Sequence, residues 1–320
     1  MHEFELINKY FSQLTNRSKS SLNLNDDVFF DKSHNLVISV DTYSIGKHFV
    51  SFKNPDLVIK KIIRSSISDL ICKGVKPNYY FLSGSGNNKT FTTSNLKKIS
   101  KSLKEEQKKY NIILGGGDTV KSSKLSFTVT SVGFSNKIVY RNRSKDNDDI
   151  YVTGNLGDSF LGLMVLKNKI KINKKLSAYF INQYYKPEIK YSLTDHLNKF
   201  ATSSIDLSDG LITDLDKLIN KQKKTYQLFF DKIPISKKLR LVLSLKTLLK
   251  KNFISKGDDY EILFTSNIKN RNSIKNISST KKIKITRIGK ILNSWQKTSI
   301  IDKNGHQIKI NNKGYTHKFD

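Results

Sequence analysis

Apolar positions along the chain follow two spacings, one typical of strands and the other of helices. Two runs of strand length, at 36–42 and 125–134, are rich in β-branched residues, which favour extended backbone. Residues 56–71 instead place apolar side chains three and four positions apart, which predicts one buried helix face. That face comprises Ile59, Ile62, Ile63, Ile67, Leu70 and Ile71. The alternation predicts a mixed α/β or α+β fold.

The second half of the chain repeats this alternation. Residues 150–169 predict a strand, a glycine-containing turn and a helix. Further along, the pattern predicts helices near 175–200, a strand-to-helix turn at 205–211 with a helix through Leu218, and strands at 226–231 and 260–265. The second half is therefore expected to form an α/β unit of its own.

A polar, charged segment at 141–149 lies between the two halves and is the best candidate for a domain junction. With 320 residues the chain exceeds the usual size of one domain, and two domains of about 150 residues can each bury a core. We therefore expect domains at 1–145 and 146–320.

The composition is strongly basic, with 57 Lys and Arg against 27 Asp and Glu and a net charge of +30. Such a charge is typical of proteins that bind nucleic acid. The lysines, however, are spread along nearly the whole chain, mostly on the polar faces of predicted helices such as 95–110, and no basic stripe is interleaved with aromatic residues. Together with abundant Asn and Ile, this favours the codon bias of an AT-rich genome over specific nucleic-acid binding.

Cysteine content and the N-terminal pattern indicate the compartment. The single cysteine, Cys72, excludes an internal disulfide framework, and no Cys or His cluster has the spacing of a zinc site. The first residues lack a basic segment followed by an apolar core, and no run approaches the roughly 18 apolar residues of a membrane span. We expect a soluble cytoplasmic protein without a membrane partner.

Ten of the 27 acidic residues lie in six short motifs. These are "NDDV" at 25–28, "SVDT" at 39–42, "SDL" at 68–70, "GGGDT" at 115–119, "IDLSDGL" at 205–211 and "GDDYE" at 257–261. The simplest explanation of each motif is local. For example, Asp209 could cap a helix, Asp118 could close a turn, and Asp26 and Asp27 could form a solvated loop. Asp69 needs a positive partner, because it lies near the C-terminal end of a predicted helix.

Most of these motifs end or flank apolar runs, where α/β proteins commonly place functional groups. If they converge, carboxylates about 4 Å apart repel by about 4 kcal/mol at an effective dielectric of about 20, so cations are needed. Sets of Asp, Ser, Thr and backbone oxygens suit Mg²⁺, which often binds between carboxylates and phosphates. The glycines at 115–117 let backbone N–H groups approach a phosphate. The sequence matches neither the P-loop motif nor the protein-kinase motifs.

The motifs "SVDT…HF", "LGGGDT", "IDLSDGL" and "GDDYE", in this order, resemble the thiamine-monophosphate kinase family. That family shares an ATP-binding superfamily with aminoimidazole ribonucleotide synthetase, selenophosphate synthetase and a hydrogenase-maturation protein. The resemblance covers nearly the whole chain, from "FELINKYF" to "KGYTHKF". It implies a two-domain α/β (α+β) homodimer, with an N-terminal domain that binds ATP and Mg²⁺ and forms a barrel-like sheet across the dimer. The C-terminal α/β domain would complete the nucleotide and substrate site.

The resemblance also implies roles for individual residues. Those matching metal ligands are Asp27, Ser39, Val40, Asp41, Asp69, Asp118, Asp206 and Asp209. Those matching ATP contacts are Gly117, Asp118, Arg141 and Ser208. Those matching the thiamine pocket are His48, Asp258 and Tyr315. Val40 can offer only its backbone carbonyl, and no residue is assigned as an acid or base.

Two positions depart from the family pattern. Asn25 replaces a usual glycine, but asparagine tolerates the left-handed backbone that glycine supplies. Asp258 replaces a usual glutamate and is one methylene shorter, which reduces its reach towards a substrate.

The implied activity is transfer of the γ-phosphoryl group of ATP to thiamine monophosphate, the last step of thiamine diphosphate synthesis. Several Mg²⁺ ions would bridge the reacting phosphates, and the acceptor phosphate is already ionised, so direct transfer needs no general base. Two relatives are disfavoured. Selenophosphate synthetase has a reactive residue near its N-terminus, whereas Cys72 lies in a predicted helix, and the hydrogenase-maturation protein ends in cysteine, whereas this chain ends in "HKFD".

Overall fold

The computed structural model describes residues 2–311, 313–316 and 319. A short helical region opens the chain, with helix α1, a π-helical turn and two 3₁₀ segments. Their bounds are Glu3–Leu6, Ile7–Phe11, Ser12–Thr15 and Lys19–Leu24. A mixed six-stranded sheet follows, in the order β1-β2-β6-β3-β4. Strand β5 pairs with the C-terminal part of β3, after the part that pairs with β4. Its strands are β1 Phe29–Asp31, β2 Leu36–Ser44, β3 Pro77–Gly86, β4 Ile113–Gly116, β5 Thr119–Lys121 and β6 Ser126–Phe134.

A second six-stranded sheet has the order β12-β9-β11-β7-β10-β8. Its strands are β7 Asp149–Thr153, β8 Ala201–Asp206, β9 Lys224–Phe229, β10 Ile262–Ser266, β11 Ile285–Asn293 and β12 Ser299–Ile301. Only the β12–β9 pair is parallel. The fold is therefore mixed α/β with largely antiparallel sheets.

Two long helices connect strands of the first sheet, and shorter helices surround the second. The first two are α2 Pro55–Cys72 and α3 Thr93–Tyr110. The others are α4 Asp158–Leu166, α5 Lys174–Tyr185, α6 Thr194–Phe200, α7 Leu211–Leu218, α8 Lys237–Leu245, α9 Lys251–Ile254 and α10 Arg271–Lys281. Short 3₁₀ turns occur at Tyr191–Leu193, Phe230–Lys232 and Ile268–Asn270. No helix in the described ranges is long and apolar enough to cross a membrane.

Helix α2 is shared by the two halves of the molecule. Pro55 begins it, because the fixed φ of proline suits the first helical turn. Its predicted isoleucine and leucine stripe is buried against β2 and β6. The helix also contacts β8 and α5 of the second half, and it buries Lys61, Arg64 and Ser68. Since a buried polar group requires partners, this side of α2 is where functional contacts between the halves are expected.

One face of the first sheet is open. Along β2, Ser39 and Tyr43 are buried under the helices, whereas Val40 is 62 % exposed on the opposite face. Several large apolar side chains on that first sheet are likewise exposed, namely Phe81, Ile113, Val120 and Phe134. The sheet does not close into a barrel within the chain as far as it is described, since the path ends at β1 and β4.

The elements with the clearest periodicity match the structure. The expected strand at 36–42 is found at Leu36–Ser44, and the expected helix at 56–71 is found at Pro55–Cys72. The strand expected at 226–231 ends earlier, at Phe229, because a 3₁₀ turn follows. Residues 135–148 contain neither helix nor strand. The domain boundary itself stays a prediction.

Candidate active site

Three carboxylates from distant parts of the chain form an acidic cluster, which we define as Asp27, Asp69 and Asp206. Each offers one oxygen atom, and these atoms lie within 4.8 Å of one another. Asp27 lies in the bend before β1, Asp69 in the last turn of α2, and Asp206 at the C-terminal end of β8. The two sheets and α2 thus converge at this cluster.

The electrostatics of the acidic cluster favour a bound cation. Burial raises the pKa of Asp69 well above its usual value, and the charges of Asp41 and Asp206 raise it further. Burial also raises the pKa of Asp206, and it raises the pKa of Asp41, on β2, to about 7. Two hydroxyls donate hydrogen bonds here, Tyr43 to Asp41 at 3.0 Å and Ser68 to Asp206 at 2.8 Å. A hard cation would relieve the remaining repulsion, and the oxygen-only donor set fits Mg²⁺.

Two basic side chains neutralise one side of the acidic cluster. The Lys73 ammonium is 2.6 Å from Asp26 and 2.7 Å from Asp27, and it also donates to the Ser204 carbonyl at 2.7 Å. The Arg141 guanidinium pairs with Asp27, and the Arg141 backbone N–H donates to Asp26 at 2.9 Å. The local interpretation of Asp26 and Asp27 as a solvated loop is therefore wrong. Lys73 also lowers the pKa of Asp69, which answers its need for a positive neighbour.

Asp209 does not cap helix α7. The backbone N–H groups of Asp209 and Gly210 both donate to the Asp214 carboxylate at 2.9 Å, so Asp214 caps this turn. The Asp209 carboxylate instead pairs with Lys217. The Asp209 charge is therefore already engaged in an ion pair, at the turn that follows Asp206.

Asp118 is not part of the acidic cluster. Its side chain is exposed between β4 and β5, and its carboxylate accepts the Thr119 N–H at 2.8 Å, which agrees with a turn residue. Ser39 is buried and donates to the Ser66 carbonyl at 3.4 Å. Val40 points its side chain to the open face, so only its backbone could face a ligand on the helical side.

Glycines allow close contacts at two places. A Cβ at Gly117 would collide with the backbone of Leu82, so the "GGGDT" loop lies directly on β3. Gly257 has a φ of 72° and packs against the backbone of Ser208 and Asp209. These contacts hold the loop before β10 on the loop that follows β8.

The residues of the expected thiamine pocket lie beside these loops. The Asp258 N–H donates to the Ser208 carbonyl at 2.8 Å, and the Tyr315 N–H donates to the Asp209 carbonyl at 2.9 Å. Tyr315 keeps 44 % of its surface exposed. The pocket candidates Asp258 and Tyr315 therefore adjoin the "IDLSDGL" turn.

His48 follows β2. Its Nδ1 accepts the Ser44 N–H at 2.9 Å, and its ring meets that of Tyr43 edge to face. The His48 carbonyl accepts a hydrogen bond from the Tyr184 hydroxyl at 3.0 Å. It is thus anchored on both sides of its loop, to β2 and to helix α5.

Sequence reasoning missed several charged residues of the site. Lys73 and Lys217 neutralise acids in and beside the cluster, Asp214 caps its turn, and Lys61 pairs with Asp258. The lysines could not be recognised among so many others in the chain. Lys61 nevertheless interrupts an apolar stretch of α2, and that interruption was the available signal.

Comparison with known proteins finds relatives over nearly the whole chain. Residues 25–135 match the family model of the AIR synthase related protein, N-terminal domain. The thiamine-monophosphate kinase of Buchnera aphidicola subsp. Acyrthosiphon pisum is 35 % identical, with 98 % of each chain covered. That of Escherichia coli K12 is 30 % identical, again with 98 % of each chain covered.

Solved structures of related proteins have a similar fold. The structure of AaThiL complexed with AMPPCP and TMP has a TM-score of 0.85 and 25 % identity, covering 99 % of this chain and 97 % of that one. The hydrogenase maturation protein HypE of E. coli has a TM-score of 0.70 at 17 % identity, covering 87 % of this chain and 85 % of that one, which indicates a shared fold only. The full-length similarity to curated relatives is decisive: this chain belongs to the thiamine-monophosphate kinase family.

Proposed function

We propose that the protein transfers the γ-phosphoryl group of ATP to the phosphate of thiamine monophosphate, forming thiamine diphosphate and ADP. This is the last step of thiamine diphosphate synthesis. Family membership supports the activity, and AaThiL, the relative of similar structure, was solved with AMPPCP and TMP. The observation that carries the proposal is the acidic cluster, in which three buried or partly buried carboxylates face one another where both halves of the chain meet.

The acidic cluster is the centre of the proposed Mg²⁺ site. The residues proposed to hold several ions are Asp27, Ser39, Val40, Asp41, Asp69, Asp118, Asp206 and Asp209. Bound Mg²⁺ supplies charge neutralisation and orientation for the two reacting phosphates. Asp118 and Val40 have the least structural support in this set, because Asp118 is exposed between β4 and β5 and the Val40 side chain lies on the open face of the first sheet.

The chain's own cations and backbone groups complete the nucleotide site. The proposed ATP contacts are Gly117, Asp118, Arg141 and Ser208. Arg141 already lies against Asp27, so its guanidinium can face phosphate oxygens beside the acidic cluster. Gly117 packs tightly on the backbone of Leu82 in β3, and its backbone N–H is proposed to donate to a phosphate oxygen.

The acceptor is proposed to bind to His48, Asp258 and Tyr315. The thiazolium ring is cationic, so a carboxylate and an aromatic face are suitable neighbours. Since the acceptor phosphate is already ionised, the protein has to align two anions and need not remove a proton. We therefore propose direct transfer without a phosphorylated enzyme.

We further propose that the protein is a homodimer in which the open faces of two first sheets meet to form a barrel-like interface. The exposed apolar side chains on β3 to β6 support this, because a contiguous apolar surface commonly marks an interface. The irregular segment 135–148 supports two domains, 1–145 and 146–320. The single buried cysteine fits the reducing conditions of the cytoplasm.

Product analysis tests the proposed function. With Mg²⁺, ATP and thiamine monophosphate, we expect equal amounts of thiamine diphosphate and ADP, with no AMP. The controls omit Mg²⁺ or offer a ribonucleotide or selenide as the acceptor. Turnover of one of those acceptors without formation of thiamine diphosphate would assign the protein to another activity of the superfamily.

A further inference from the structure

Lys61 is a buried lysine that the roles given above do not use. It lies in the second turn of α2, and its side chain is only 2 % exposed. Its ammonium is 2.6 Å from a carboxylate oxygen of Asp258 and donates to the Tyr184 carbonyl at 3.2 Å. It also lies 3.8 Å from the centre of the Tyr184 ring. The ammonium is therefore held by a carboxylate, a carbonyl and an aromatic face.

This arrangement is not explained by stability alone. Removing an ammonium and a carboxylate from water is unfavourable, and apolar residues of similar volume often stabilise a fold at least as well. Burial lowers the pKa of Lys61, and the charge of Asp258 opposes that shift. A buried pair of this kind needs a reason beyond packing, and its position suggests one.

Lys61 lies between the two sides of the proposed acceptor pocket. Asp258 is on the loop before β10, and its carboxylate remains 22 % exposed. On the other side, the Tyr184 hydroxyl donates to the His48 carbonyl at 3.0 Å. Lys61 and Tyr184 therefore connect His48 with Asp258, across helices from both halves of the chain.

The backbone at Asp258 makes this support more important. Its φ is 65°, a left-handed conformation that is uncommon for residues other than glycine. The short aspartate side chain also reaches less far than glutamate would. A fixed cation on one carboxylate oxygen limits the directions in which the other can point.

We propose that Lys61 is a positioning residue for the acceptor: it holds the Asp258 carboxylate at the edge of the pocket, where it recognises the cationic thiazolium or the aminopyrimidine of thiamine monophosphate. The inference rests on the proposed function. Lys61 itself acts through Asp258 and does not contact the transferred phosphoryl group.

The test compares Lys61→Met with Lys60→Met. Methionine keeps the length of the side chain and removes its charge, and Lys60 is the adjacent residue, which pairs with the half-exposed Glu105 away from the pocket. For Lys61→Met we expect the KM for thiamine monophosphate to rise about tenfold, the size of effect expected when one polar contact of about 1.4 kcal/mol is lost. The KM for ATP should change less than twofold, and Lys60→Met should resemble the wild type in both values.

A double variant separates positioning from a general structural role. If Lys61 acts through Asp258, Lys61→Met with Asp258→Asn should have the same KM for thiamine monophosphate as Asp258→Asn alone. The double variant removes both charges of the Lys61–Asp258 pair. It can therefore still be measured if Lys61→Met alone does not fold. Calorimetric binding of thiamine monophosphate without ATP should show the same non-additivity.

Three results would overturn the inference: an unchanged KM for thiamine monophosphate in Lys61→Met, equal increases in both KM values, or additive effects in the double variant. If the wild type forms thiamine diphosphate, any of these results removes only the role of Lys61. If the wild type forms none, the proposed function fails and this inference fails with it.

Discussion

A few charges of the candidate site lie in surroundings that disfavour the charged form. Asp69 lies near the C-terminal end of α2, partly buried, and the charges of Asp206 and Asp41 raise its pKa. Lys73 reduces this repulsion and is itself fully buried. This arrangement is electrostatically unfavourable without a cation, and a bound cation would relieve the repulsion. Such clusters are therefore typical of binding sites.

Asp41→Asn should separate activity from stability. The substitution removes one negative charge beside the acidic cluster and keeps the shape of the side chain. The rate of thiamine diphosphate formation should therefore fall by a factor of about 10² to 10³. Without Mg²⁺ at pH 8, the Tm should rise, because a repelling charge is gone. The exposed pair of Asp195 with Lys76 provides the control, and Asp195→Asn should change neither value. Wild-type turnover in Asp41→Asn at saturating Mg²⁺ would contradict the metal assignment.

Tyr315→Ala should affect the acceptor alone. The side chain is nearly half exposed, and its backbone is fixed on Asp209, so truncation should leave the fold intact. We expect the KM for thiamine monophosphate to rise more than the KM for ATP. Steady-state kinetics with each substrate varied in turn measure both constants, and a larger increase for ATP would place Tyr315 at the nucleotide.

Candidate site residues could be identified from the sequence where they lay in ordered motifs, and their roles stay predictions. Asp27, Asp69 and Asp206 were selected from short motifs, and the structure brings these three together. Lys61, Lys73 and Lys217 were not selected, because a chain with 57 basic residues gives no local sign of which ones are buried. Their roles depend on contacts between distant segments, which no periodicity records.

At the scale of elements, α2 and α3 show how a helix pair is fixed. The buried Arg64 on α2 forms two hydrogen bonds with Glu106 on α3, at 2.8 and 2.9 Å. Nearby, the more exposed Lys60 and Glu105 form a second ion pair. Both pairs link the same two helices. They differ mainly in burial, because the Arg64–Glu106 pair is removed from water and the Lys60–Glu105 pair stays partly hydrated.

Glu106→Gln should destabilise the protein much more than Glu105→Gln. The first change leaves Arg64 buried without its counter-ion, which costs about 3 kcal/mol of unfolding free energy. The second removes an exposed, solvent-screened partner and should leave the free energy of unfolding nearly unchanged. Urea unfolding of both variants measures the difference. Equal losses of unfolding free energy in the two variants would show that burial does not determine how much each ion pair stabilises the protein.

Elements with strong periodicity were predictable, and those set by tertiary contacts were not. The stripe on α2 and the β-branched runs of β2 and β6 specify their structures locally. The end of β9 was misjudged by two residues, since apolar Phe230 continues the strand-like pattern into a 3₁₀ turn. The pairing of β3 with both β4 and β5 depends on a glycine-rich segment that carries no hydrophobic pattern.

At the scale of the whole molecule, the open face of the first sheet predicts association. Ile113, on β4, is 58 % exposed among other apolar side chains. Ile113→Asp should convert the proposed dimer into a monomer of 36.7 kDa in sedimentation experiments, because a charge cannot be buried there without a partner. Ile268→Asp alters a similarly exposed isoleucine near the second sheet and should leave the dimer intact. A wild-type protein that sediments as a monomer would contradict the proposed interface.

In the proposed mechanism, the two halves of the molecule hold ATP and thiamine monophosphate for direct phosphoryl transfer. Its most direct test is a single turnover with terminally radiolabelled ATP, Mg²⁺ and thiamine monophosphate, quenched in acid at successive times. The account predicts that label passes from ATP to thiamine diphosphate with no labelled protein at any time. Label that accumulates on the protein, or that is released as inorganic phosphate whether or not thiamine monophosphate is present, would contradict it.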